Sequence, residues 1–179
     1  MVVAGGDTST GFNSLNTAGL FNPTTGTWQS TGGLNVAREL QLSALLQNGK
    51  VLVAGGREFV SGTSTDLASA ELFDPSLGSW SLTGNLNNPY GTPFGSPLAN
   101  GDVLLARFAF FTPATGAWTN TGPFPAVREG TTATLLGTGD VLLTGFRQTC
   151  SGCGFKPSNA AILYESATNT YRRHELCTR

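Results

Sequence analysis

The chain has 179 residues and a formal net charge of −1, enough length for one domain with a sizeable core. Only 12% of its residues are charged while 24 are glycine, so no global field directs it to nucleic acid or an anionic membrane, and recurrent blocks of Val, Leu, Ile, Phe and Trp set it apart from disordered chains. No apolar run nears the ~20 residues that cross a bilayer as a helix.

The first predicted element is MVVAGG at Met1–Gly6, an apolar strand running into two glycines. The loop GDTSTGFNSLNTAG follows, then GLFNPTTGTW, a short apolar strand with an Asn-Pro turn and an aromatic at Trp28. Beyond LNVARE and the apolar segment RELQLSALLQNGK, the opening phrase returns as VLVAGG at Val51–Gly56, followed by REFVSGTSTDLASA and ELFDPSLGSW. It recurs more weakly as VLLARF at Val103–Phe108, before AFFTPATGAW, and as VLLTGF at Val141–Phe146, before FRQTCSGCGFKPSN and ILYESATNTY. The aromatic anchors Trp28, Trp80, Trp118 and Tyr171 are spaced by 52, 38 and 53 residues.

Turn chemistry divides each unit into strands a, b, c and d, with VLVAGG as strand b. Asn48-Gly49 and Asn100-Gly101 predict two-residue hairpins with positive φ at both central positions, and Thr138-Gly139 is a weaker version. In NPTTG and DPSLG the proline presets a type I turn, after which Gly26 and Gly78 supply a left-handed residue. The unbroken apolar run of strand b suits a strand covered on both faces. Its glycine pair ends the strand where a side chain would obstruct neighbouring backbone. No helix follows those glycines, so they lack the helix N-terminus of a phosphate loop. No helix is predicted anywhere.

A glycine pair after an apolar strand, a D/N-P turn and an aromatic, at roughly 50-residue intervals, resembles the Kelch repeat of β-propellers. The resemblance covers nearly the whole chain and is strongest in the first two units, since Ala106-Arg107 and Gly145-Phe146 replace the glycine pair in the others. The sialidase Asp-box does not fit, because Gly26 stands two residues before Trp28 rather than three. The resemblance implies an all-β, Kelch-type β-propeller or partial propeller of four four-stranded antiparallel units, approximately 1–37, 38–87, 88–126 and 127–179. Four b, c and d strands meet only three a strands, so the first unit lacks its inner strand. The sequence reads as a fragment of a larger propeller or as one closed by another chain, with a four-bladed ring as the alternative.

Alternating strand direction puts the a–b and c–d turns on one face and the b–c and d–a connections on the other. The second face carries the long, irregular loops and is the candidate working face. Five arginines are read as projecting there: Arg38, Arg57, Arg107, Arg128 and Arg147. Guanidinium forks match carboxylate and phosphate, which suits an anionic ligand. The alternative is that Arg38 and Arg128 bond loop carbonyls or the adjacent Glu39 and Glu129.

Asp74, Asp102 and Asp140 are read as turn formers, and Glu71 as an exposed residue of strand c. No carboxylate pair is placed for acid/base work, no G-x-S-x-G elbow occurs, and His174 is the single histidine. Cys150-x2-Cys153 with His174-x2-Cys177 has the ligand types and spacing of a Cys3His zinc site. A disulfide among the three cysteines, or three free thiols, are the alternatives; zinc aside, no cofactor is expected.

The leading functional reading is a non-catalytic binding scaffold for a protein, peptide or glycan, with no nucleic acid or membrane partner. Open blade edges offer a route to self-association. The resemblance also admits a propeller within a larger secreted enzyme, such as the galactose oxidase type, whose copper site takes two tyrosines, a cysteine and two histidines. Tyr90, Tyr164 and Tyr171 are present, but one histidine does not complete that set. A purely structural blade set is the third reading. Scarce lysine (Lys50 and Lys156) and Ser/Thr/Gly/Asn-rich loops lean toward an extracellular or cell-surface bacterial parent.

Overall fold

A computed structural model describes residues 1–8, 13–106, 109–122, 124, 132–145, 147–150, 154–157 and 160–175. Among them the regular structure is entirely β. The first sheet has three strands in the order β1 (Val2–Ala4), β2 (Ala18–Asn22), β3 (Thr27–Ser30). In the second unit β4 (Leu42–Leu45) and β5 (Val51–Ala54) precede a separate hairpin of β6 (Arg57–Val60) and β7 (Thr63–Asp66). With β8 (Ala70–Asp74) and β9 (Ser79–Leu82) the sheet order is β4-β5-β8-β9.

The third sheet runs β10 (Gly95–Pro97), β11 (Val103–Leu105), β12 (Ala109–Thr112), β13 (Ala117–Asn120). In the fourth, β14 (Thr132–Leu135) and β15 (Val141–Thr144) are separated by the hairpin β16 (Arg147–Cys150) and β17 (Gly154–Pro157) from β18 (Ala160–Glu165) and β19 (Thr170–Glu175). Its order is β14-β15-β18-β19. Three of these sheets are thus a-b-c-d meanders, and the first shows b, c and d. Close packing groups Met1–Pro93 with Ala114–Trp118 as one unit, and Phe94–Pro113 with Thr119–Arg179 as a second.

The repeated residues earn their places through burial. Strand b is covered throughout in β11 and nearly so in β5, whereas β4 alternates, with Leu42 and Ala44 inward. The anchor aromatic of strand d stands opposite the aromatic of strand c: Phe21 against Trp28, Phe73 against Trp80, Tyr164 against Tyr171. Their ring centroids are 5.1, 5.1 and 5.0 Å apart and tilted, within the range that favours aromatic pairs. Within Met1–Pro93, Leu34, Val53, Phe73 and Trp80 form a core against which Val2, Ala4 and Leu20 pack. Within Phe94–Pro113 and Thr119–Arg179, Leu104, Val141, Leu143, Ile162 and Tyr164 form another, against which Phe94, Ala133 and Tyr171 pack.

The D/N-P turns carry the left-handed glycine expected of them, Gly26 at φ 68° and Gly78 at φ 64°, and Asn169 at φ 53° takes that position in the fourth copy. The Asn-Gly turns differ from the two-residue form. Only Gly49 and Gly101 have positive φ, and Gly49 N bonds Leu46 O at 3.0 Å while Leu46 N bonds Lys50 O at 2.9 Å. This is a three-residue loop, a type I turn closed by a left-handed glycine. Asn48 stays right-handed because its Oδ1 accepts the Lys50 N–H at 3.1 Å, a local bond that substitutes for the tighter turn. Gly55 and Gly56 end β5 as the crowding argument requires: a Cβ on Gly55 would meet Tyr90 O at 2.9 Å, and one on Gly56 would overlap Glu39 O.

Candidate functional site

The b–c connection of the second sheet is not an irregular loop. Ser61 and Gly62 both have positive φ, 49° and 86°, and join Val60 to Thr63 in a two-residue turn. The Ser-Gly dipeptide between the alternating REFV and TSTD was a readable signal for this hairpin. The b–c loop of the first sheet leans on it. Ser14 N donates to Phe59 O at 2.9 Å, Phe59 N donates back to Ser14 Oγ at 2.8 Å, and Ser61 N donates to Asn13 Oδ1 at 3.0 Å.

The d–a linkers lock to the same layer. Glu39 and Arg57 exchange backbone bonds, both at 2.9 Å, and Gly6 N donates to Arg38 O at 2.9 Å. Gly56 N donates to Tyr90 O at 2.9 Å, and Tyr90 N donates to Leu67 O at 3.0 Å. Arg57 Nε holds Asp66 Oδ1 at 3.0 Å across the hairpin, and this pair lies so close over Gly91 that a Cβ there would overlap the Asp66 carboxylate. Loops from the first two sheets and both adjoining linkers therefore form one hydrogen-bonded layer.

Arg38 does not project from that face. Its side chain is 0% exposed, with Nη1 donating to Gly55 O at 2.8 Å and Ser69 O at 3.0 Å, and Nη2 donating to Ser69 Oγ and Glu71 Oε1, both at 2.9 Å. It bonds loop carbonyls, and the acid it meets is Glu71 rather than Glu39. Glu71, expected to be exposed, is also 0% exposed. Its carboxylate accepts from Asn35 N and Asn35 Nδ2, both 2.8 Å, and from Val36 N at 3.0 Å. Burial alone would push the Glu71 carboxyl up; the bonds from Asn35, Val36 and Arg38 outweigh it and hold the group below its ordinary value. Spacing along the chain carries no trace of this pairing, because 33 residues separate the partners.

Arg57 is exposed and paired with Asp66. Arg107 and Arg128 lie outside the described residues, and Arg147 is placed only by its backbone, opposite Pro157 at the start of β16. Cys150 ends β16 opposite Gly154, and His174 stands opposite Ala161 in β19. Cys153 and Cys177 lie outside the described residues, so the zinc, disulfide and thiol readings fall there as well. The turn acids act as turn formers: Asn100 Nδ2 donates to Asp102 Oδ2 at 2.9 Å, and Thr138 Oγ1 donates to Asp140 Oδ2 at 3.0 Å. The Ser76 hydroxyl, then Lys50, hold the Asp74 carboxyl well below the usual range.

The second sheet is the most complete of these meanders, with a glycine-ended strand b, a D-P turn and a buried anchor Trp80. A family model for the Kelch motif matches residues 41–87, the span from β4 through β9. Residues 41–87 form a Kelch motif. Kelch-like protein 23 of Mus musculus is 33% identical over 66 residues, which are 37% of this chain and 11% of that protein. The matched Kelch segment is thus a small part of its relative's length.

Proposed function

We propose that this Kelch chain is a non-catalytic scaffold that binds a protein or peptide through the b–c and d–a loop face. The observation that carries the reading is the mutual bracing of Asn13, Ser14, the β6–β7 hairpin and the two linkers by backbone and side-chain hydrogen bonds. Loops held in this way lose little freedom when a partner docks, which lowers the cost of association. Two apolar side chains stand out of the layer, Leu40 at 55% and Val60 at 54% exposure, and such residues amid a polar surround are suited to anchor a partner. Arg57 and Asp66 offer one charge of each sign, which favours a partner with mixed polar chemistry over a purely anionic one. Kelch repeats typically act as protein-interaction scaffolds, and the motif match and the Kelch-like relative support that class.

The test is selection of binders from a displayed peptide library on the intact chain, followed by binding measurements with Leu40→Asp, Val60→Asp and Leu77→Asp variants. Leu77, 76% exposed in the c–d turn, lies on the opposite face. Selected peptides should lose at least about tenfold in affinity, roughly 1.4 kcal/mol, with either loop-face variant and keep it with Leu77→Asp. Peptides that respond only to Leu77→Asp would move the working surface to the turn face.

A further inference from the structure

Within Met1–Pro93 there are three basic side chains, Arg38, Lys50 and Arg57, and six acidic ones, Asp7, Glu39, Glu58, Asp66, Glu71 and Asp74. Each basic side chain is held by one acid. Arg38 holds Glu71 in the core at 2.9 Å, Lys50 holds Asp74 at 2.9 Å, and Arg57 holds Asp66 at 3.0 Å. Lys50 and Asp74 belong to the a–b and c–d turns of the second sheet, on the face opposite the loop layer. The three acids left over, Asp7, Glu39 and Glu58, all lie in the loop layer. Among the described residues none of them forms an ion pair.

Their places follow from the backbone pairing. Asp7 bridges Ser14, whose N–H reaches the β6–β7 hairpin, and Glu39 bridges Arg57 at the start of β6. Glu58 follows Arg57 and stands opposite Thr65. Burial pulls the Arg38 guanidinium down, and Glu71 and then Glu58 oppose that; Arg38 is already bonded to Glu71, so it does not neutralise a second acid. Glu39 and Glu58 are half-buried, where charge is screened less than in open solvent. The exposed apolar side chains share these segments. Leu40 follows Glu39, and Val60 stands two residues beyond Glu58, on the same side of β6 by strand alternation. Val60 is three residues along β6 from Arg57, the partner of Glu39, so about 10 Å of strand lies between the two apolar positions.

We propose that the loop layer of the first two sheets takes a basic segment of a partner protein, in which Lys or Arg is interspersed with apolar residues; this rests on the reading of that layer as the binding surface. With Arg38 in the core and Arg57 shared with Asp66, the layer presents acids where an anionic ligand would need cations. Leu40 and Val60 supply apolar contact, and each has one of the left-over acids beside it in the chain. A partner that brings cations next to its apolar groups relieves the mutual repulsion of the acids as it docks, whereas an acidic partner adds to it. Charge thus sets which partner is admitted and how fast, and the two apolar anchors hold it once seated.

The probe is a random displayed peptide library selected on the intact chain at low salt. Selected peptides should carry Lys and Arg in at least about twofold excess over the unselected library. Their synthetic copies should lose at least about tenfold in affinity between about 50 and about 500 mM NaCl. The combined variant Asp7→Asn, Glu39→Gln, Glu58→Gln should cause a similar loss and flatten the salt dependence. If that variant does not fold, Glu58→Gln alone should weaken binding about threefold. Val60→Ser removes apolar contact only, and should weaken binding with the salt dependence intact. Leu77→Lys changes the net charge on the turn face, and should leave affinity within about twofold. Peptides that respond to Val60→Ser yet carry Lys and Arg at library frequency, or bind the neutralised variant equally well, would overturn the basic-partner proposal and leave the loop face standing. Peptides that respond only to Leu77→Lys, or no enrichment of any peptide, would remove the loop face itself and this proposal with it.

Discussion

Arg38 Nη2 lies 2.9 Å from Glu71 Oε1, with both side chains 0% exposed, and the pair ties the linker between the first two sheets to strand c of the second. The same carboxylate caps the backbone N–H groups of Asn35 and Val36. The pair is therefore part of a network rather than an isolated bridge, and its removal exposes more than one unmet bond.

Arg38→Met should lower stability by about 3–5 kcal/mol, because it strands a buried carboxylate. In many proteins an apolar pair substitutes for a buried ion pair without loss. Here Arg38→Met with Glu71→Leu should remain destabilised, since Asn35 and Val36 lose their acceptor. Urea unfolding of the three proteins tests this; wild-type stability in the double variant would show that the capping bonds contribute nothing.

Acid should act through the same carboxyl. Glu71 is held below its ordinary value of 4.5, so at low pH the unfolded chain binds more protons than the folded one. The stability it contributes is complete above that value and is lost as pH falls below it toward the folded-state pKa. Urea midpoints measured from about pH 6 down to about pH 3 should fall for the natural chain and fall less for Glu71→Gln. Equal slopes would assign acid sensitivity to other carboxyls.

The two buried tryptophans of strand d should respond differently to Phe. Trp118→Phe removes the bond from Nε1 to Gly84 O and should cost about 1 kcal/mol beyond the change in packing. Trp80 Nε1 has no partner, so Trp80→Phe relieves an unmet donor and should cost less. The comparison is a pair of thermal melts.

Gly56 and Gly49 both hold positive φ, 89° and 81°, yet only Gly56 lies against neighbouring backbone. Gly49→Ala should cost about 1 kcal/mol for the left-handed conformation alone. Gly56→Ala adds overlap with Glu39 O and should cost clearly more. Equal losses would mean that the linker moves aside freely.

Leu40 holds φ 57° with its side chain 55% exposed, a strained placement for a leucine. Leu40→Gly should raise stability by about 1 kcal/mol while weakening partner binding at the loop face. A stabilised variant with undiminished binding would remove Leu40 from the proposed surface.

The strands, their order and the D/N-P turns were legible in the sequence because they depend on neighbours a few residues apart. Period-two and unbroken apolar runs set the strands, and Gly26 and Gly78 meet a steric demand that few other residues satisfy. The Asn48-Gly49 turn shows the limit of that reading, since a side-chain bond to Lys50 N selects the longer loop from the same dipeptide. The candidate surface was less legible. Its position followed from strand direction and the Ser61-Gly62 dipeptide signals its hairpin, but the bonds from that hairpin to Asn13 and Ser14 leave no trace in the sequence.

By itself, then, the amino-acid sequence determined a repeated antiparallel β meander, Kelch-like in its second copy, through local periodicity and turn sterics. Only the tertiary structure decided that Arg38 and Glu71 turn inward, and that Gln41 Oε1 and Trp80 Nε1 are buried without hydrogen-bond partners. The reason is that burial and charge compensation are set by contacts between segments tens of residues apart. A charged residue at the surface and one paired in the core leave the same letter in the chain.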